Sequence, residues 1–166
     1  MAAQTGRTTF KHVDFRIGDT ANDALRSIPI NSLSVVGVVY DELDLTAWQD
    51  AVKGVLPAMP DCPIDFGGPL DSSAVQTVGT LSGSHTVLNS LNGAMTPLSL
   101  DIHFGMRHAW ESGEPQFGIS AVATGSGYLI TKYQIDPATM MYSASAKLFP
   151  GSSLPAFGTA AETTGT

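Results

Sequence analysis

Asp101, His103 and His108 are the closest grouping of possible metal ligands in the chain, whose four histidines lie at positions 12, 85, 103 and 108. A zinc site needs several such donors converging on one ion. Asp101 and His103 sit two apart in an alternating run and so share the polar face of one strand. A solvated or subunit-facing surface is the expectation there, and no metal is assigned.

Other reactive side chains are no better placed. Ser84 and His85 are adjacent on a predicted helix, where neighbours point in different directions, so they do not form a dyad. Cys62 lies between Asp61 and Pro63 with no local cation to favour its thiolate. Asp41, Glu42 and Asp44 could in principle bind calcium, yet the loop lacks the regular ligand spacing and central glycine of an EF-hand. Gly125-Ser126-Gly127 runs into Tyr128-Leu129-Ile130 without a third glycine, and no G-x-S-x-G elbow or P-loop occurs. The expectation is a protein that catalyses nothing and carries no cofactor.

The elements that would position these residues are mostly strands. At 166 residues the chain fits one domain, and a chain of this size buries roughly 70% of its unfolded surface. Only 14% of residues are charged, against 17 glycines and 10 prolines, a balance that suits strands and loops over long helices. The formal charge of −7 argues against gripping nucleic acid, which takes clustered Lys and Arg. Cys62 is alone and can form no internal disulfide, which fits a reducing compartment. The first residues lack a signal-peptide pattern, and no window approaches the roughly 20 apolar residues of a membrane span, so the chain is expected to be soluble when made.

Alternation predicts strands at Val13/Phe15/Ile17, at Leu98/Leu100/Ile102/Phe104 and at Phe117/Ile119/Ala121/Ala123, with a hairpin over 128–149 turning at Asp136-Pro137-Ala138-Thr139. Loops are expected at 18–23, 71–83 and 106–116. Ile28, Ile30 and Leu33 lead into the valine-rich run Val35–Val36–Val38–Val39–Tyr40, one bent strand broken near Asn31. Ser84 is expected to cap one short helix over 85–91 through its hydroxyl, with Gly93 after its end. Residues 1–7 and 150–166 are too small and polar to pack a core, and are expected to be flexible tails. The fold class is mainly β: a β-sandwich or partly rolled barrel of about seven or eight strands, one short helix and a long projecting arm.

That arm is placed at about 41–62. Leu56-Pro57 and Met59-Pro60 forbid a continuous helix, so an irregular segment is expected, followed by a short strand at Ile64/Asp65/Phe66 that stops at Gly67-Gly68-Pro69. Within it, Asp44-Leu45-Thr46, then Asp50, Lys53, Leu56-Pro57, Asp61, Ile64, Phe66 and Gly68 resemble the segment that tail tube proteins of long-tailed, siphovirus-like bacteriophages carry between two strands. In that family the triplet is commonly Asp-Val-Thr and glycine commonly follows the proline; here Leu45 and Ala58 stand at those places. The resemblance continues through 85–91, 98–105 and 128–148, about three quarters of the chain.

The resemblance implies a structural virion protein made in the bacterial cytoplasm. Hexameric rings of it would stack into a hollow tube through which DNA is ejected without specific binding. The tape measure and terminator proteins of the tail would be further partners. A capsid decoration or head-to-tail joining protein is the alternative, and a small β-barrel ligand-binding module a more distant one. By position in the arm, Trp48, Lys53, Leu56, Met59 and Asp61 are the candidates for contacts between subunits, with Leu154 and Phe157 in the tail as further ones. For Trp48 and Trp110 burial at a loop-to-core junction is the ordinary expectation, and an aromatic interface anchor the functional one.

Overall fold

Apolar alternation is converted into two sheets packed face to face. A computed structural model describes residues 13–18, 25–49, 51–76, 80–105, 115–119 and 126–159. In chain order it contains β1 (Val13–Gly18), β2 (Leu25–Ile28), β3 (Ser32–Leu33), β4 (Val39–Asp44), β5 (Val55–Asp61), β6 (Ile64–Pro69), α1 (Ser84–Leu91), β7 (Leu100–Phe104), β8 (Pro115–Ile119), β9 (Tyr128–Asp136), β10 (Met141–Leu148) and β11 (Ala156–Thr159). Five strands form one sheet in the order β11-β8-β7-β1-β2, four form a second in the order β3-β6-β10-β9, and β4 and β5 form a separate pair. No helix among the described residues is long and apolar enough to cross a membrane.

The register of the first sheet explains the core. Phe15 lies opposite Ile28 on one side and Ile102 on the other, Ile102 opposite Phe117, and Phe117 opposite Phe157. One row of apolar side chains therefore crosses all five strands on one face, because side chains at paired positions share a face. The second sheet answers with Ile64, Phe66, Tyr142, Ala144 and Ala146. The Phe15 and Phe66 rings meet across the interface at 4.3 Å between centroids. Val87, Leu88 and Leu91 of α1 join the same core.

Several expectations are corrected. The strand at 98–104 was expected to be half-buried, yet Asp101 and His103 on its polar side are 2% and 1% exposed, and Arg16 opposite Asp101 is 2%. The second face of the five-stranded sheet is thus a buried polar layer, not a solvated one. Such groups must find partners. Arg16 Nε donates to Asp14 Oδ2 at 3.0 Å, and Ser27 Oγ donates to the same oxygen at 3.2 Å. Desolvation lowers the pKa of Arg16 and pushes the carboxyl of Asp101 up to about 6. Next to this layer Gly118 adopts φ +145°, and a Cβ there would run into the Leu100 carbonyl oxygen, so only glycine lets β8 approach β7 so closely.

The valine-rich run is not one strand. Residues 34–38 are irregular, Gly37 has φ +148°, and regular pairing resumes only at Val39. Ser84 is not the helix cap. Gly83 holds that position without a side-chain bond, while the Ser84 hydroxyl donates to the Pro69 carbonyl at 2.9 Å and accepts from the Asp71 amide at 3.1 Å. It ties α1 to the end of β6. Residues 71–76 and 80–83 are irregular, as expected. The hairpin at 128–149 is present as β9 and β10, with a bulge at Ser145/Ala146, and Asp136 accepts from the Ala138 amide and the Thr139 hydroxyl at the turn. The expected tail contributes β11, which pairs with β8. The N-terminal tail 1–7, the loop 19–23, Trp110 and His108 lie outside the described residues, as does 160–166.

Candidate assembly surface

The prolines that ruled out a helix do not leave the arm irregular. Residues 39–61 form an antiparallel hairpin, β4 with β5. Tyr40 lies opposite Pro60 and Glu42 opposite Pro57, so Ala58 and Met59 on β5 face the single residue Asp41 on β4. This is a β-bulge, and it has a reason. Prolines three residues apart would present opposite edges of a regular strand, and one extra residue restores their parity, so both can sit where no amide is demanded.

The two ends of the hairpin are locked. At the tip, Asp44 Oδ1 accepts from the Thr46 amide at 2.9 Å and from the Thr46 hydroxyl at 2.6 Å, and that hydroxyl accepts from the Gly54 amide at 3.0 Å. These bonds hold the Asp44 carboxyl below its usual pKa. The Leu45 amide completes the clamp on the Gly54 carbonyl at 2.9 Å. At the base, Asp61 Oδ1 accepts from the Cys62 amide at 2.7 Å, and Cys62 is fully buried beneath the Tyr128 hydroxyl, which donates to its sulfur at 3.5 Å. Replacing Thr46 with alanine removes the hinge of the tip clamp. The expected cost is local, about 1 kcal/mol. Faster amide exchange at Gly54, with unchanged exchange in β1 and β7, is the measurement that shows it.

Between those locks the arm is bare. Every residue of β4 and β5 is exposed. Trp48 at the tip is 105% exposed, which overturns the expectation of a buried tryptophan. Lys53 reaches Asp44 Oδ2 at 3.8 Å, Leu56 and Met59 project from β5, and Asp61 stands at the base. Phe157, 64% exposed, packs its ring 4.6 Å from that of Phe117 and ends the apolar row of the first sheet. It also lies 4.0 Å from the point where a side chain on Gly37 would begin, so it borders the chain that leads into the arm. Leu154 is exposed just before β11. Sequence reasoning missed Val39, Tyr40, Leu43, Leu45, Val52 and Val55, all exposed on the same hairpin. The first two were assigned to a half-buried strand, and the signal that could have found them was the pair of β-like runs around the Asp44–Thr46 and Gly54 turn residues. A hairpin alone in water is marginal at best, and an apolar patch of this extent marks an interaction site.

The arm is also the acidic part of the molecule. Within 39–61 stand Asp41, Glu42, Asp44, Asp50 and Asp61 against Lys53, five negative charges less one positive, or −4 of the protein's −7. Among the described residues no group of His, Cys, Asp and Glu is placed to hold a metal ion. Apolar area and unopposed charge suit this surface to docking.

No known protein family matches the sequence, and no curated protein does. The fold does have a solved counterpart. A chain in the cryo-EM structure of an extracellular contractile injection system, the PVC sheath-tube complex in its extended state, superposes with a TM-score of 0.53 over 93% of this chain and 93% of its own length, at 12% sequence identity. The shared property is the fold, which is mainly β and tail-tube-like. That neighbour is a chain of a sheath-tube complex.

Proposed function

We propose that this protein is a structural subunit that assembles with copies of itself into stacked rings, forming the tube of a phage tail or a related injection device. The observation that carries the reading is the bare hairpin: a folded subunit that holds an apolar, clamped arm clear of its own core has that arm available for a neighbour. Rings follow when a heterologous contact closes on itself, and a projecting arm is long enough to reach the next ring. An acidic subunit suits a conduit for DNA, since a wall that repels phosphate lets the polymer slide. Hexameric symmetry, the virion as location, and tape measure and terminator proteins as partners belong to the same proposal.

Electron microscopy of the purified protein tests it. Long hollow tubes support the reading, discrete trimers or single rings support a decoration or head-to-tail joining protein, and a monomer at every concentration overturns it. Trp48→Ala is expected to fold normally and assemble poorly. A buried aromatic anchor is worth about 2 kcal/mol, so the concentration needed for assembly should rise roughly 30-fold. Light scattering against concentration measures that shift.

A further inference from the structure

Among the described residues not every charge finds a partner, and the unsatisfied ones fall in two places. Among the described cations, Arg16 is paired with Asp14, Arg26 donates to the Gln76 carbonyl and Lys53 lies by Asp44. Lys132 on β9 and Lys147 on β10 are exposed and make no ion pair or hydrogen bond. Lys132 lies opposite Ser145, and Lys147 is two residues beyond Ser145 on the same strand, so both ammonium groups stand on the outward face of the four-stranded sheet, one on each side of the β9–β10 bulge. Asp65 lies on the other side of Ser145 and holds its hydroxyl, which confines the basic patch to the β9 margin. The β10 positions beside it carry small side chains, Ser143 and Ser145. The opposite sign is unsatisfied in the arm, where Asp41 and Glu42, on opposite faces of β4, are exposed and carry no ion pair.

We propose that the arm of one copy lies on the β9–β10 face of a second copy, with Glu42 on Lys132 and Lys147. This rests on the self-assembly reading and names the surface that receives the arm. Charge complementarity selects a second copy as the occupant: subunits of net charge −7 repel one another unless their acidic segments meet the few cations left open. The small side chains of Ser143 and Ser145 leave room there for a two-stranded ribbon. Exposed Met140, at the turn joining the two strands, offers apolar area for the arm's own.

The test uses full-length protein in two charge-reversed forms, Glu42→Lys and Lys132→Glu/Lys147→Glu, with sedimentation velocity and electron microscopy as readouts. All three positions are exposed, so unfolding curves should match the parent. Each form alone is expected to need at least a tenfold higher concentration to assemble, because like charges then meet. An equimolar mixture should assemble near the parent's concentration, since each form supplies the sign the other lacks. A mixture no better than its components overturns the pairing, as do reversed forms that assemble like the parent. If those forms assemble normally while Trp48→Ala does not, the arm still drives assembly and only this docking face is wrong. A parent that never assembles removes both.

Discussion

Phe15→Ala should lower the free energy of unfolding by about 3–5 kcal/mol, the usual cost of emptying a buried aromatic site. Phe15 is fully buried, it stands in the middle of the apolar row across the five-stranded sheet, and its ring meets Phe66 of the opposite sheet at 4.3 Å. No neighbour can refill the space. The strands on both sides are fixed in register, and Ile28 and Ile102 are already packed against them. A domain's whole stability is about 5–15 kcal/mol, so the variant should sit at the edge of folding. Urea denaturation with an unchanged slope and a shifted midpoint is the expected record, with Phe15→Leu falling between the two. A loss below about 1 kcal/mol would mean that the two sheets do not close on this residue.

Asp101 gives the second large effect, and it depends on pH. Burial raises its carboxyl to about 6, although Arg16 opposite it pulls the other way. One carboxylate oxygen has no hydrogen-bond partner, which is consistent with a group that favours the neutral form. In the unfolded chain the same carboxyl titrates near 3.8. Between those values the folded state binds the extra proton, so this residue's contribution is full below about 3.8 and is lost as pH rises through about 6. The difference corresponds to roughly 3 kcal/mol. Asp101→Asn keeps the shape without the ionisation. Subtracting its stability profile from the parent's should leave a curve that falls between pH 4 and 7, while exposed carboxylates such as Asp136 cancel. A flat difference would show that Asp101 is as readily ionised in the fold as out of it.

Where one face of a strand is apolar and the next polar, alternation reads directly. Val13/Phe15/Ile17 and Leu100/Ile102/Phe104 were placed correctly on that ground, as was the 128–149 hairpin with its Asp-Pro turn. The polar face of β7 was misjudged because alternation reports that two faces differ, not that the second is dry. Arg16, Asp101 and His103 are buried on it, with half-buried Asp14 as the partner of Arg16. β11 was missed because Ala156-Phe157-Gly158 has no pattern of its own and becomes a strand only by pairing with β8. Ser84 was read as a cap because a serine before a helical run usually is one; here its hydroxyl had two long-range backbone partners in Pro69 and Asp71. In the arm, two prolines were weighed against helix only. The bulge that accommodates both on a strand cannot be seen without the register of β4.

The same bulged strand bears on how the subunit survives before it finds its place. An exposed, hydrophobic β-ribbon is the kind of segment that recruits its own kind into fibrils, because each new chain continues the ladder of amide bonds. β5 lacks an amide hydrogen at Pro57 and again at Pro60, and Met59 between them is displaced by the bulge. Fibril growth along that margin is starved of donors at two of seven positions. The arm can therefore expose its apolar side chains while this margin resists the addition of further strands.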